Sequence, residues 1–174
     1  MEQTVFNLDE KEKIFISTLE SHKGIIYKVA NTYCYNKSDQ DDLIQEITIQ
    51  IWKSIENFNE QYKWSTWIYR IALNTSISFY RKNSTHKGKT VDLDPLIEIP
   101  NAINESYEDE KFILLRKFIR ELKEIDRALI LLHLEGLSSQ EIADIIATTQ
   151  TNVTTKISRI KKKLKIKFEN HKSK

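Results

Sequence analysis

The chain has 174 residues, of which 40% are apolar and 30% charged, the mixture of a globular protein rather than a disordered one. Three Gly and two Pro are too few for the turns of an all-β fold. No stretch approaches the roughly 18 continuous apolar residues of a membrane span, so composition leaves an all-α fold with no membrane insertion. Cys34 is the single cysteine, which excludes an internal disulfide. The opening MEQTVFNLDEKEK lacks a signal-peptide pattern, so the expected compartment is the cytoplasm. The net charge of +2 conceals a strong gradient: residues 84–110 hold 2 Lys/Arg against 7 Asp/Glu, whereas residues 151–174 hold 9 against 1. A basic block of that kind suits a polyanionic partner.

Along the chain, Ile14, Phe15, Leu19, Ile25, Ile26 and Val29 predict one or two helices over 9–35. Residues 39–58 carry the clearest stripe, Leu43, Ile44, Ile47, Ile51, Ile55 and Phe58, with Trp52 at its edge. Ser65 or Thr66 is the expected cap of a third helix, with Trp67 and Phe79 turned to the core. Regularity stops at Asn83, and 84–106 reads as an acidic, flexible linker between a domain at 1–83 and a second at 107–174. The second domain begins with helices over 107–121 and 123–135, closed by Gly136. Ser138 and Glu141 match a capping box that opens a short helix through Ile142, Ala143 and Ile146. After a tight connection, a last helix starts near Thr151 and buries Val153, Ile157, Ile160 and Leu164. The whole is two small helical domains joined by a linker.

A capped short helix, a turn and a helix with one basic face form a helix-turn-helix, whose second helix fits a major groove. Thr151, Asn152, Thr155, Lys156 and Arg159 lie on its expected outer face, as hydrogen-bonding and cationic side chains able to reach base edges or phosphates. Lys161, Lys162 and Lys163 suit the backbone. In the first domain, aromatic residues alternate with Lys63, Arg70, Arg81 and Lys82, the pattern of single-strand capture by stacking and charge. Lys63, Trp64, Arg70 and Asn74 are the contact candidates there. On the second helix, Ile49 interrupts a polar face of Asp42, Gln45 and Glu46, which marks a docking surface. His22, His86, His133 and His171 are scattered, and no phosphate loop or metal motif is present, so neither enzyme chemistry nor a cofactor is expected. His133, among leucines, reads as structural.

The strings DDLIQEITIQIWKSIENF, TWIYRIALN followed by Tyr80-Arg81-Lys82, DRALILLHLEGLSSQEIADI and NVTTKISRIKKKL together resemble the sigma-70 family, specifically its small extracytoplasmic-function members. The resemblance implies a region 2 bundle and a region 4 helix-turn-helix that direct RNA polymerase core to promoters. Asp42, Gln45 and Glu46, beside Ile49, would dock on the coiled coil of the largest subunit, and the polymerase flap is a second implied contact. Lys63 and Trp64 would accept a flipped base of the minus-ten element, and Arg70, Asn74 and Arg81 would follow the melted strand. Thr151, Asn152, Thr155, Lys156 and Arg159 would read the minus-thirty-five duplex. An anti-sigma protein is a further implied partner, and a metal or small-molecule substrate is not. Four positions depart from the family pattern: Ser78 stands where Asp is usual, Ala147 and Thr148 occupy the turn where Gly and then an aliphatic residue are usual, and Thr151 stands in place of Gly in the next helix. The competing expectation is a helix-turn-helix repressor or activator that acts without joining polymerase.

Overall fold

The computed structural model describes residues 8–86 and 110–172 and divides the chain into two compact units, Met1–Leu93 and Asp94–Lys174. The expected linker, apart from 84–86, lies outside the described residues, as do 107–109. All regular structure among the described residues is helical.

In the first unit, α1 (Leu8–Tyr33), α2 (Lys37–Ser54) and α3 (Trp64–His86) pack on one another, with a 3-10 turn at Ile55–Asn57. The first expected segment is thus one helix. α2 begins two residues before its expected start because Asn36 caps it, its Oδ1 accepting from the Asp39 amide at 2.7 Å. Leu43, Ile47, Ile51 and Ile55 then project into a core shared with Val29, Ala30, Ile68 and Ala72, and almost nothing of them reaches solvent. α3 begins at Trp64, so Ser65 and Thr66 sit inside its first turn rather than capping it; the Trp67 amide donates to Lys63 O at 3.1 Å. Trp67 and Phe79, expected in the core, are half-buried at its margin.

The second unit contains α4 (Glu110–Arg120), α5 (Glu124–Leu134), α6 (Ser139–Ile146) and α7 (Gln150–Lys172). α7 is its spine, because α4, α5 and α6 all pack against it. Val153, Ile157, Ile160 and Leu164 enter a core with Leu129, Leu132, Ile142 and Ala143. Gly136 ends α5 with φ +80°, the left-handed conformation open to a residue without Cβ. Beyond Leu164, α7 continues to fasten α4: Phe168 meets Phe118 edge-on at 5.0 Å, and Lys167 pairs with Glu121.

One polar residue lies at the centre of this core. Arg127 is 1% exposed, and its Nη2 donates to Arg120 O at 2.6 Å and Leu122 O at 3.2 Å. The first carbonyl belongs to the last turn of α4, where helix geometry leaves it without a helical partner, and the second to the connection that follows. The guanidinium therefore ties the α4–α5 corner to the core. Arg127→Ala removes both bonds and leaves a cavity, so the second unit should lose about 2–4 kcal/mol; the measurement is its urea midpoint, and an unchanged midpoint rules out this role.

Candidate nucleic-acid interface

In the first unit the candidate surface is built from the 58–63 loop and α3. Asn59 folds the loop, its Oδ1 accepting from the Gln61 amide at 3.0 Å and its carbonyl from the Tyr62 amide at 3.0 Å. That turn lays Phe58 flat on Trp64, with centroids 3.6 Å apart and planes 13° apart. Trp67 meets both rings edge-on at 5.6 and 5.5 Å. The loop forms one side of a cleft of about 480 Å³, lined by Phe58, Glu60, Tyr62, Lys63 and Trp64, with Lys11 and Ile14 of α1 opposite. Lys11 is held there by Glu56, at 3.1 Å, and by the Trp52 ring, at 4.6 Å. The cleft thus offers an aromatic wall and a charged rim of Lys11, Lys63 and Glu60.

The expected contact residues fall into two groups. Lys63 and Trp64 share the cleft, where Trp64 is half-buried as part of the stack. Arg70 is half-buried with its guanidinium over the Tyr62 ring at 5.1 Å, one turn before the exposed Asn74. Asn74, Ser78 and Arg81 follow on the exposed side of α3, away from buried Ile68, Ala72 and Leu73. On α2, Asp42, Gln45 and Ile49 are exposed and Glu46 is half-buried, accepting from Gln50 Nε2 at 2.8 Å. Ile49 is 44% exposed, so the apolar interruption of this polar face is present in three dimensions.

In the second unit the capping box forms as expected: Ser138 Oγ accepts from the Glu141 amide at 3.2 Å, and Glu141 Oε2 accepts from the Ser138 amide at 3.0 Å. The turn between α6 and α7 passes through Ala147 at φ 56°, ψ 56°, where the Thr148 amide reaches back to Ala143 O at 3.0 Å. Thr149 Oγ1 then accepts from the Asn152 amide at 3.2 Å and starts α7. The Asn152 side chain is turned to the same corner, donating to Thr148 Oγ1 at 2.8 Å.

The buried stripe of α7 fixes what faces outward. At 3.6 residues per turn, the direction opposite Val153, Ile157, Ile160 and Leu164 is centred near Thr155, with Thr151, Ser158 and Arg159 beside it. All four are exposed, whereas Lys156 is half-buried on the shoulder. Thr154 and Ser158 join this exposed surface although sequence reasoning passed over them. Short hydroxyl side chains carry no charge or period signal, and only the helix register could have singled them out. Thr154 Oγ1 donates to Gln150 O at 3.0 Å, leaving its methyl group as the part available to a groove. The forward half of the helix is therefore lined by small groups that let its backbone approach base edges closely.

Among the described residues, no group of three or more His, Cys, Asp and Glu could hold a metal ion. Nor, among them, is any helix long and apolar enough to cross a membrane.

Comparison with known proteins decides the family. Sigma-70 region 2 matches residues 18–86, and Sigma-70, region 4 matches residues 112–164. The chain belongs to the sigma-70 family, as an extracytoplasmic-function sigma factor. It is 32% identical over 131 residues to RNA polymerase sigma factor SigZ of Bacillus subtilis (strain 168), covering 75% of this chain and 73% of that one. It is 28% identical over 143 residues to the ECF RNA polymerase sigma-E factor of Escherichia coli (strain K12), covering 75% and 74%. In fold it is similar to the sigma factor RpoE in complex with the anti-sigma factor NepR from Bartonella quintana, with TM-score 0.69, 20% identity and 90% and 98% of the two chains covered. It is similar also to CnrH in complex with the cytosolic domain of CnrY, with TM-score 0.66, 18% identity and coverage of 91% and 90%. This sigma factor is accordingly a non-enzymatic specificity factor for promoter recognition by RNA polymerase, and the free-standing repressor or activator is set aside.

The Ala147 turn generates a direct expectation. A residue with a Cβ in the left-handed region is strained by roughly 1–2 kcal/mol relative to glycine, part of which glycine returns as unfolded-state entropy. Ala147→Gly should therefore stabilise the second unit by about 0.5–1 kcal/mol, seen as a higher urea midpoint. A lower midpoint means the turn is relaxed as it stands.

Proposed function

We propose that the first unit docks this sigma factor on RNA polymerase core and captures the melted minus-ten strand, while the second unit reads the minus-thirty-five element as duplex. The observation that carries the reading is the α7 face: exposed Thr151, Thr155, Ser158 and Arg159 lie opposite a buried stripe, behind a capped helix and a tight turn. That arrangement suits a major groove, with Arg159 able to reach guanine and the hydroxyls able to meet any base edge. Asn152 and Lys156, at the flank, suit the backbone of the same site.

In the first unit, a base that leaves its stack costs a few kcal/mol to extrude, and an aromatic-walled cleft rimmed by Lys63 offsets that cost by stacking and charge. Trp64 supplies the wall, while Arg70, Asn74 and Arg81 track the strand along α3. The polar face of Asp42, Gln45 and Glu46 with Ile49 at its centre suits the coiled coil of the largest polymerase subunit. Phe112 and Ile113 on α4, 61% and 54% exposed, suit the flap. The fold is similar to that of the sigma factor RpoE, solved with the anti-sigma factor NepR, which supports a protein inhibitor as another partner of these surfaces.

Transcription in vitro with sigma-free core and genomic fragments tests this. Added protein should produce specific starts, and Asn74→Ala should reduce permanganate-detected strand opening about tenfold with duplex binding retained, an effect of the size of one base contact. Binding to duplex DNA without core association or specific starts refutes the reading.

The docking face has its own test. Ile49→Lys places a charge at the centre of a desolvated contact, so affinity for core should fall by about tenfold or more in a titration. Full affinity places the docking surface elsewhere.

A further inference from the structure

Tyr62 belongs to two surfaces of the first unit at once. It lines the cleft beside Lys63 and Trp64, and the Arg70 guanidinium lies over its ring, 5.1 Å from the centroid. Arg70 stands on α3 one turn, or about 6 Å, before Asn74, on the path proposed for the melted strand. The ring is placed by the backbone of the loop: the Tyr62 amide donates to Asn59 O at 3.0 Å, and Asn59 Oδ1 accepts from the Gln61 amide at 3.0 Å. Lys63 and Trp64 follow directly in sequence, so the turn that presents them to the cleft also presents the ring. Tyr62 is 39% exposed, so core packing does not force the contact, and the loop can shed it without opening a cavity.

A guanidinium on a long aliphatic stem loses much rotational freedom when it grips a ligand, and a ring that already holds it removes part of that cost. The attraction runs between the cation and the electron-rich face of the ring, and it strengthens as water is excluded. A base entering the cleft beside Tyr62 excludes water on that side and steadies the 58–63 loop. The ring is then held more firmly, and Arg70 with it. We propose that Tyr62 is a positioning residue: through its ring, an unstacked base in the cleft and the grip of Arg70 on the strand become one event instead of two. This rests on the cleft taking an unstacked base and on Arg70 following the strand. It adds that strand capture by this unit is cooperative, and it assigns the cooperativity to one aromatic side chain.

The test uses the full chain assembled with polymerase core and a fluorescent fork DNA, taken from a promoter that the holoenzyme opens and carrying the minus-ten strand unpaired. An abasic site moved along that strand finds the cleft base: its removal and Trp64→Ala should together weaken binding by less than the product of their separate effects. With that base in place, Tyr62→Leu should weaken binding by about three- to tenfold, the size of one partly buried cation–π contact. Tyr62→Phe, which keeps the ring, should restore most of the loss. Arg70→Gln and removal of the cleft base should also combine to less than their product, both in the unaltered holoenzyme and in Tyr62→Phe. In Tyr62→Leu the same two changes should become independent, a result that a merely structural role of Tyr62 would not produce. Tyr62→Gln, polar and without a ring, should match Tyr62→Leu, with the urea midpoint of the full chain unaltered. Independent effects of Arg70 and the base in the unaltered holoenzyme overturn the proposal, as does coupling that survives both Tyr62→Leu and Tyr62→Gln. Equal losses in Tyr62→Leu and Tyr62→Phe overturn it too, because the hydroxyl and not the ring would then be at work. If removal of no base couples to Trp64→Ala, the reading of the cleft itself fails and the proposal with it.

Discussion

Burial of one aliphatic row, Val153, Ile157, Ile160 and Leu164, fixes the rotation of α7 about its own axis, and everything the second unit presents to DNA depends on that rotation. A slip of one residue would turn the helix by about 100° and replace Thr155 and Ser158 with the shoulder of the helix. The remaining helices hold the register. α5 and α6 cover the row, Arg127 pins the corner that delivers α5, and the left-handed Ala147 sets the direction in which α7 departs. The first unit uses the same device, since Leu43, Ile47 and Ile51 turned inward leave Gln45 and Ile49 outward, and Ile68 and Ala72 turned inward leave Asn74 outward.

Features governed by local spacing were legible in the sequence. The α2 and α7 stripes, the Ser138–Glu141 box and the Gly136 cap all announce themselves within a few residues, because caps and helical periods are short-range chemistry. Features made by packing between elements were not. Trp64 could be chosen as a contact candidate, yet its stack on Phe58 depends on how Asn59 turns the loop. Arg127 carries no such signal, since nothing near it in sequence shows that α4 ends over its guanidinium.

The two units have separate cores and present surfaces of different chemistry. The first offers stacked aromatic rings, a cleft and an exposed isoleucine on an acidic-amide face; the second offers hydroxyls, an arginine and lysines on a single helix. Flat rings suit bases that have lost their partners, and a slender helix lined by small side chains suits bases that have kept theirs. Joining two such modest binders in one chain raises the effective concentration of the second once the first is engaged, so neither surface alone needs high affinity.

The continuation of α7 past its buried row has a mechanical meaning. Its 23 residues form a rod of about 34 Å, with Thr151 near one end and, near the other, Phe168 against Phe118 of α4. A helix of that length tilts as one body, so whatever takes hold of α4 has a lever on the angle at which the far end enters DNA. The protein surface most distant from the bases can thereby set how they are met.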